Sequence, residues 1–177
     1  CVFEVSGIIE INDKLVIKNP YITIAGQTAP DPGVMIYGDG TVIKTHNVLV
    51  QHLGFRPGDA DYRGNEIGTH DCISLTKGSD KVVLDHLSLS WGSDENLSIY
   101  GDVGEVTIRN LLISDALNIR EHAFGGLMYG EGTISMSGTL FANLDQRQPK
   151  SQIGKLLYYN NLHYNRGLRY LQFSNTK

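Results

Sequence analysis

A fivefold internal repeat constrains this chain more than any other feature. Val48-Leu49-Val50-Gln51-His52-Leu53-Gly54-Phe55 aligns with Val82-Val83-Leu84-Asp85-His86-Leu87-Ser88-Leu89, and then with Val106-Thr107-Ile108-Arg109-Asn110-Leu111-Leu112-Ile113. Ile134-Ser135-Met136-Ser137-Gly138-Thr139-Leu140-Phe141 and Leu157-Tyr158-Tyr159-Asn160-Asn161-Leu162-His163-Tyr164 complete the set. Apolar residues occupy the first, third and eighth places of all five copies, and the sixth place of all but the one with Thr139. The copies start 34, 24, 28 and 23 residues apart. A period of roughly 20–30 residues built from short apolar runs is the mark of a solenoid. Alternation within copies, with no helical periodicity between them, predicts an all-β chain coiled as a parallel β-helix. The fifth place reads His52, His86, Asn110, Gly138, Asn161 and predicts a ladder inside the coil or at a corner, with amides bonding from coil to coil.

The remaining sequence fits that frame. Short runs such as Val2 to Val5, Gly7 to Ile11, Lys14 to Ile17, Tyr21 to Ile24, Val34 to Tyr37 and Thr41 to Lys44 read as strands between polar turns. Asp39-Gly40 is the one two-residue hairpin signal, which argues against a sandwich. Residues 1–177 read as one β-helix domain and, with no Met at the start, as a fragment of a longer chain. A net charge of -4 leaves no basic footprint for nucleic acid. No run reaches the length of a membrane span. Two cysteines, Cys1 and Cys72, make no disulfide framework.

Chemistry concentrates between 71 and 95. Asp71-Cys72-Ile73-Ser74-Leu75 and Glu95-Asn96-Leu97-Ser98-Ile99 share a pattern 24 residues apart: a carboxylate, then apolar residues at plus two and plus four. In a coil this places Asp71 and Glu95 on adjacent rungs, about 5 Å apart. Carboxylates so close repel and call for a cation between them. Oxygen donors favour Ca²⁺ over Mg²⁺ or a soft metal. One coil further lies His122, and another brings Arg147, so that an acid, an acid, a His and an Arg line one groove. A solvated polar sheet face is the bland alternative. Asp94 and Glu95 are adjacent, and on one strand they would point to opposite faces.

These residues resemble the pectate lyases of the right-handed parallel β-helix type, in the bacterial branch of polysaccharide lyase family 1 with a Trp-Gly/Ser-x-Asp-Glu motif. Asp85-His86-Leu87-Ser88-Leu89-Ser90-Trp91-Gly92-Ser93-Asp94-Glu95 carries the likeness best. It extends from Ile22-Thr23-Ile24-Ala25-Gly26-Gln27 through His122-Ala123-Phe124-Gly125 to Arg147-Gln148-Pro149-Lys150. The resemblance implies Ca²⁺-dependent β-elimination in polygalacturonate and a secreted or cell-surface location. It implies that Asp71 and Glu95, joined by Asp94, bind Ca²⁺ and that Arg147 abstracts the proton, with stabilisation of the anion as the other role open to Arg147; His122, Lys150 and Arg56 are the candidate substrate contacts. The chain departs from the pattern at Lys150, where the family's Arg-x-Pro-Arg ends in arginine. It has Ile99 where some members carry a further carboxylate, and Phe124 where some carry a substrate-binding lysine.

Two other readings stay open. One is a non-catalytic β-helix: a carbohydrate-binding module, an adhesin or a filament component. The other is a polygalacturonase, which needs clustered acids on the same fold. Several residues have plain structural roles on offer. Arg56 fits a corner ion pair, His52 and His86 a ladder, and Trp91 a corner aromatic as well as a sugar platform. Asp59, Asp61 and Glu66 lie in a Gly- and Asp-rich insertion long enough to carry function. Lys150, Lys155, Arg166 and Arg169 are further cations toward the end of the chain. Asn96-Leu97-Ser98 matches the N-glycosylation pattern by chance.

Overall fold

The fifth place of the first four repeats turns a corner, and this sets the architecture. His52, His86, Asn110 and Gly138 have φ of 53°, 52°, 58° and 64°. Left-handed backbone suits Gly, and Asn and His tolerate it better than most residues. One such residue breaks the strand alternation, so apolar places shift from first and third to sixth and eighth. The corner residues stack through backbone bonds. The N–H groups of His52, His86 and Asn110 donate to the carbonyls of Asp85, Arg109 and Ser137 at 3.2, 3.1 and 3.0 Å.

The computed structural model describes residues 1–59 and 70–174. It is a parallel β-solenoid of about six turns. One stack contains Val34–Tyr37, Leu53–Arg56, Ser88–Ser90, Leu112–Ser114, Leu140–Gln146 and Leu162–Arg169. A second contains Leu15–Ile17, Thr41–Ile43, Ile73–Leu75 and Glu95–Tyr100, continuing into Phe124–Ser137 and Lys150–Tyr159. A third contains Ile22–Ala25, His46–Gln51, Asp80–Asp85 and Glu105–Arg109, and takes up the later halves of the same two long strands. Every strand pairing is parallel.

Inward places form three columns. Phe55, Leu89, Ile113 and Phe141 are in register, as are Ile43, Leu75, Ile99 and Met128, and Val50, Leu84, Ile108 and Met136. None of these twelve is more than 3% exposed. Full burial contributes roughly 1.5–3 kcal/mol for a side chain of this size.

Four expectations are corrected. Val2 to Val5 form no strand; Val2 makes an isolated bridge to Ala25. The fifth repeat is displaced by one residue, because Ile134 pairs with Leu156 and Leu140 with Leu162. Asn160, with φ 53°, is the true corner residue, and its carbonyl accepts from the Gly138 N–H at 3.1 Å. Leu157 and Tyr164, at the first and eighth places of the fifth repeat, are 45% and 66% exposed. A strand's two faces differ by one residue, and the last coil is apolar outside as well as inside, so the pattern fits equally well one place late.

The amide ladder also lies elsewhere. Asp115, Asn143 and Asn165 stack at a second left-handed corner, with φ of 47°, 55° and 47°. The Asn143 amide donates to Asp115 Oδ1 at 2.8 Å, and the Asn165 amide to Asn143 Oδ1 at 2.9 Å. At the first corner the rings of His52 and His86 stack instead, with centroids 4.6 Å apart. Asp85 anchors that corner. Its buried carboxylate accepts from Gln51 at 3.0 Å, Arg109 at 2.8 Å and Asn110 at 3.3 Å, and pairs with His86 Nδ1 at 2.6 Å. Burial alone would raise its pKa, but the hydrogen bonds from Arg109, Gln51, His86 and Asn110 outweigh that and hold it well below the usual range.

Candidate active site

A tight corner delivers the acids. The chain turns left-handed at Trp91, φ 66°, and Gly92 then packs where no side chain fits. A Cβ there would lie 2.5 Å from the Glu95 carbonyl oxygen. The Gly92 N–H donates to Asn96 Oδ1 at 2.9 Å, and the Asn96 amide donates to the Ser114 carbonyl at 2.8 Å. Asn96 is fully buried, so its glycosylation pattern is accidental in the folded chain. This closure ends the bend at Asp94 and starts the strand at Glu95.

Asp71 and Glu95 occupy adjacent rungs, as their 24-residue spacing requires. The Glu95 N–H donates to Asp71 Oδ1 at 3.1 Å, and the Cys72 N–H to the Glu95 carbonyl at 3.3 Å. Asp94 joins them. One carboxylate oxygen from each of the three lies within 4.8 Å of the others. The expectation that Asp94 and Glu95 point apart is therefore corrected: Asp94 sits in the bend, outside the strand, where alternation does not apply. Burial, with Asp94 nearby, pushes the Asp71 carboxyl up to about 6 against the hydrogen bonds of Ser74 and Ser98 and the charge of Lys14. The Ser74 hydroxyl donates to Asp71 Oδ2 at 2.7 Å.

Arg147 reaches the same place from two coils further along. Its guanidinium pairs with the Glu95 carboxylate, which is 3% exposed. The guanidinium carbon stands 3.9 Å from the centroid of the Phe124 ring. Burial lowers the Arg147 pKa, partly offset by Asp94 and Asp71. The backbone is left-handed here, φ 55°, between a bond to the Arg169 carbonyl and one from the Gly126 N–H.

The other expected residues spread outward. Phe124, not His122, follows Glu95 in register, because a 3-10 turn, Ile119–Glu121, lies ahead of the strand. His122 packs its ring on Phe124, with centroids 4.7 Å apart. Lys150 pairs with Leu127, which pairs with Ser98, on the outer face of the sheet that bears the acids. Arg56 is engaged elsewhere, donating to the Ser88 carbonyl at 2.7 Å and hydroxyl at 2.6 Å, with its guanidinium 6.0 Å from the Trp91 ring. Ile99, four places after Glu95, points into the core. Asp59 is exposed, and Asp61 and Glu66 lie outside the described residues. Ser74, Ser98 and Lys14 were not singled out as site residues, although Ser74 and Ser98 occupy the same place in the shared pattern; Phe124 was noted only as a departure at a substrate-binding position.

The donor set suits a hard cation. The three converging groups are carboxylates, and the Cys72 thiol turns inward, donating to the Ser90 carbonyl at 3.2 Å.

No protein-family model matches the chain. Curated fungal proteins do. A probable pectate lyase C of Aspergillus flavus is 37% identical over 167 residues, 94% of this chain and 38% of that protein. Its namesakes in Aspergillus fumigatus and Emericella nidulans are 35% and 36% identical, each over 94% of this chain and 37% of their own length. The chain is a homologue of these proteins. It spans under two fifths of the length of the curated relatives it matches. The resemblance to pectate lyases thus holds over nearly the whole chain, with fungal relatives where the motif pointed to a bacterial branch. Among the described residues no helix is long and apolar enough to cross a membrane.

Proposed function

We propose that this chain carries the catalytic region of a secreted, Ca²⁺-dependent pectate lyase that cleaves polygalacturonate by β-elimination. The convergence of Asp71, Asp94 and Glu95 with Arg147 on one outer face supports this reading above all. Asp71, Asp94 and Glu95 would hold the ion. Bound there, Ca²⁺ supplies positive charge that attracts the uronate carboxylate and acidifies the neighbouring C5 proton. Arg147 takes that proton, the electron pair forms the C4–C5 double bond, and the C4–O bond breaks with its oxygen leaving to be protonated. Free guanidinium is protonated throughout the ordinary range, so the base role requires a lowered pKa. Burial acts in that direction. Only the neutral form accepts a proton, so activity rises toward alkaline pH. His122 and Lys150 are assigned to the substrate's carboxylates. Arg56 is assigned to the corner, because it donates to the Phe55 carbonyl and to the Ser88 carbonyl and hydroxyl.

Absorbance of unsaturated uronide is followed in the full-length protein with polygalacturonate and Ca²⁺ at alkaline pH. Arg147→Ala is expected to lose about 10²–10⁴-fold in kcat, the usual contribution of a general base, and chelator to abolish the signal. New reducing ends without unsaturated product would instead identify a hydrolase, a reading that the clustered acids keep in contention. Binding of the polymer with neither product would identify a carbohydrate-binding scaffold.

A further inference from the structure

We propose that Phe124 is a positioning residue, whose ring is the floor that holds the Arg147 guanidinium against Glu95. Its consequence for turnover rests on the lyase reading; the contact itself rests on packing alone. Phe124 opens the strand Phe124–Ser137 on the rung that follows Glu95, and is 6% exposed. The guanidinium carbon of Arg147 lies 3.9 Å from its ring centroid, within the range where a cation is drawn to an aromatic face. His122 packs on the ring, tilted by 52°. Next in sequence is Gly125, where a Cβ would come within 2.6 Å of the Arg147 carbonyl oxygen, so the Arg147 backbone closes down only because that position is bare.

Two contacts therefore orient one guanidinium. Glu95 takes an N–H edge, and the Phe124 ring provides an apolar surface beneath it. A planar cation on a flexible stem needs both a direction and a surface to stay in one place. An aliphatic residue at 124 keeps the burial but removes the aromatic face. A lysine would set a second cation against Arg147. A base displaced by about 1 Å can lose on the order of a hundredfold in rate.

The test uses the full-length protein with Phe124→Leu, Phe124→Tyr, Arg147→Gln and the Leu/Gln double variant, with Phe124→Met replacing Leu if that variant does not fold. In chelator, a denaturation cycle over Phe124 and Arg147 is expected to show coupling of about fivefold in the unfolding equilibrium. With Ca²⁺ and polygalacturonate, Phe124→Leu is expected to lower kcat at least about tenfold with KM within about twofold, and Phe124→Tyr to stay within about threefold of wild type. Additive stabilities would overturn the proposal. So would equal losses in the Leu and Tyr variants, or a raised KM at unchanged kcat, which would make Phe124 a wall of the substrate site. Were the wild type to yield no unsaturated product, the lyase reading would fall, and the cycle would decide the contact by itself: coupling sustains it and additivity ends it.

Discussion

Asp71 is the residue at which charge and stability are set against each other. Burial pushes its carboxyl up to about 6 in the folded chain, from the ordinary range of a free carboxylate. A raised acid pKa means that folding favours the protonated form. The group is neutral in both states below pH 4, so no penalty applies there. As pH rises through about 6 the folded chain must carry a poorly solvated charge, and stability falls by up to about 2–3 kcal/mol. Asp71→Asn retains an acceptor for the Glu95 N–H and removes the charge. In chelator at pH 8 it is expected to melt higher than wild type by calorimetry. The same variant should lose most of the stabilisation that added Ca²⁺ gives wild type at pH 8, and wild type should lose it below pH 6, where a proton competes for Asp71. A wild-type Ca²⁺ shift equal at pH 5 and pH 8 would show that Asp71 does not bind the ion.

At the scale of elements, the corners decide where strands end and which side chains meet. The first corner is held by Asp85, whose partners come from three successive rungs. Asp85→Ala is expected to cost about 2–4 kcal/mol in urea denaturation, discounted because Arg109 is half-exposed and keeps its hydration. Since its folded pKa is depressed, this contribution is complete well above pH 4 and is lost progressively as pH falls from about 4 down to the folded value. A cost below about 0.5 kcal/mol would reduce Asp85 to one more solvated surface acid. Much of this was legible in the primary structure. The fifth place of the repeat announced a stacked column of His and Asn, and the left-handed φ of His52, His86, Asn110 and Gly138 shows that this column is a corner. The 24-residue spacing of Asp71 and Glu95 placed them on neighbouring rungs. Asp94 and Phe124 were not legible in the same way. Asp94 meets the other acids because the Gly92 bend lies outside strand geometry, and Phe124 follows Glu95 because a turn of 3-10 helix alters the length of one coil.

Across the whole molecule, register carries the fold. Each coil buries its apolar places against the coils on either side, so a slip of one residue would exchange core and solvent faces. The last coils provide the check. Leu156 packs against the core and Leu157 is 45% exposed. Leu156→Asp is expected to destabilise by about 3 kcal/mol or more, and Leu157→Asp by less than about 1 kcal/mol. The opposite order in thermal melts would restore the register read from the repeat. The sequence by itself determined that the chain coils, how long each coil is to within a few residues, and which acids share a face, because those properties follow from periodicity. Only the tertiary structure decided that Arg147 lies between Glu95 and Phe124, how the Gly92 bend turns Asp94 toward the acids it was expected to join, and that the last coil sits one residue earlier. Those contacts depend on turn lengths and left-handed corners that bring together residues dozens of positions apart, and no local pattern encodes that distance.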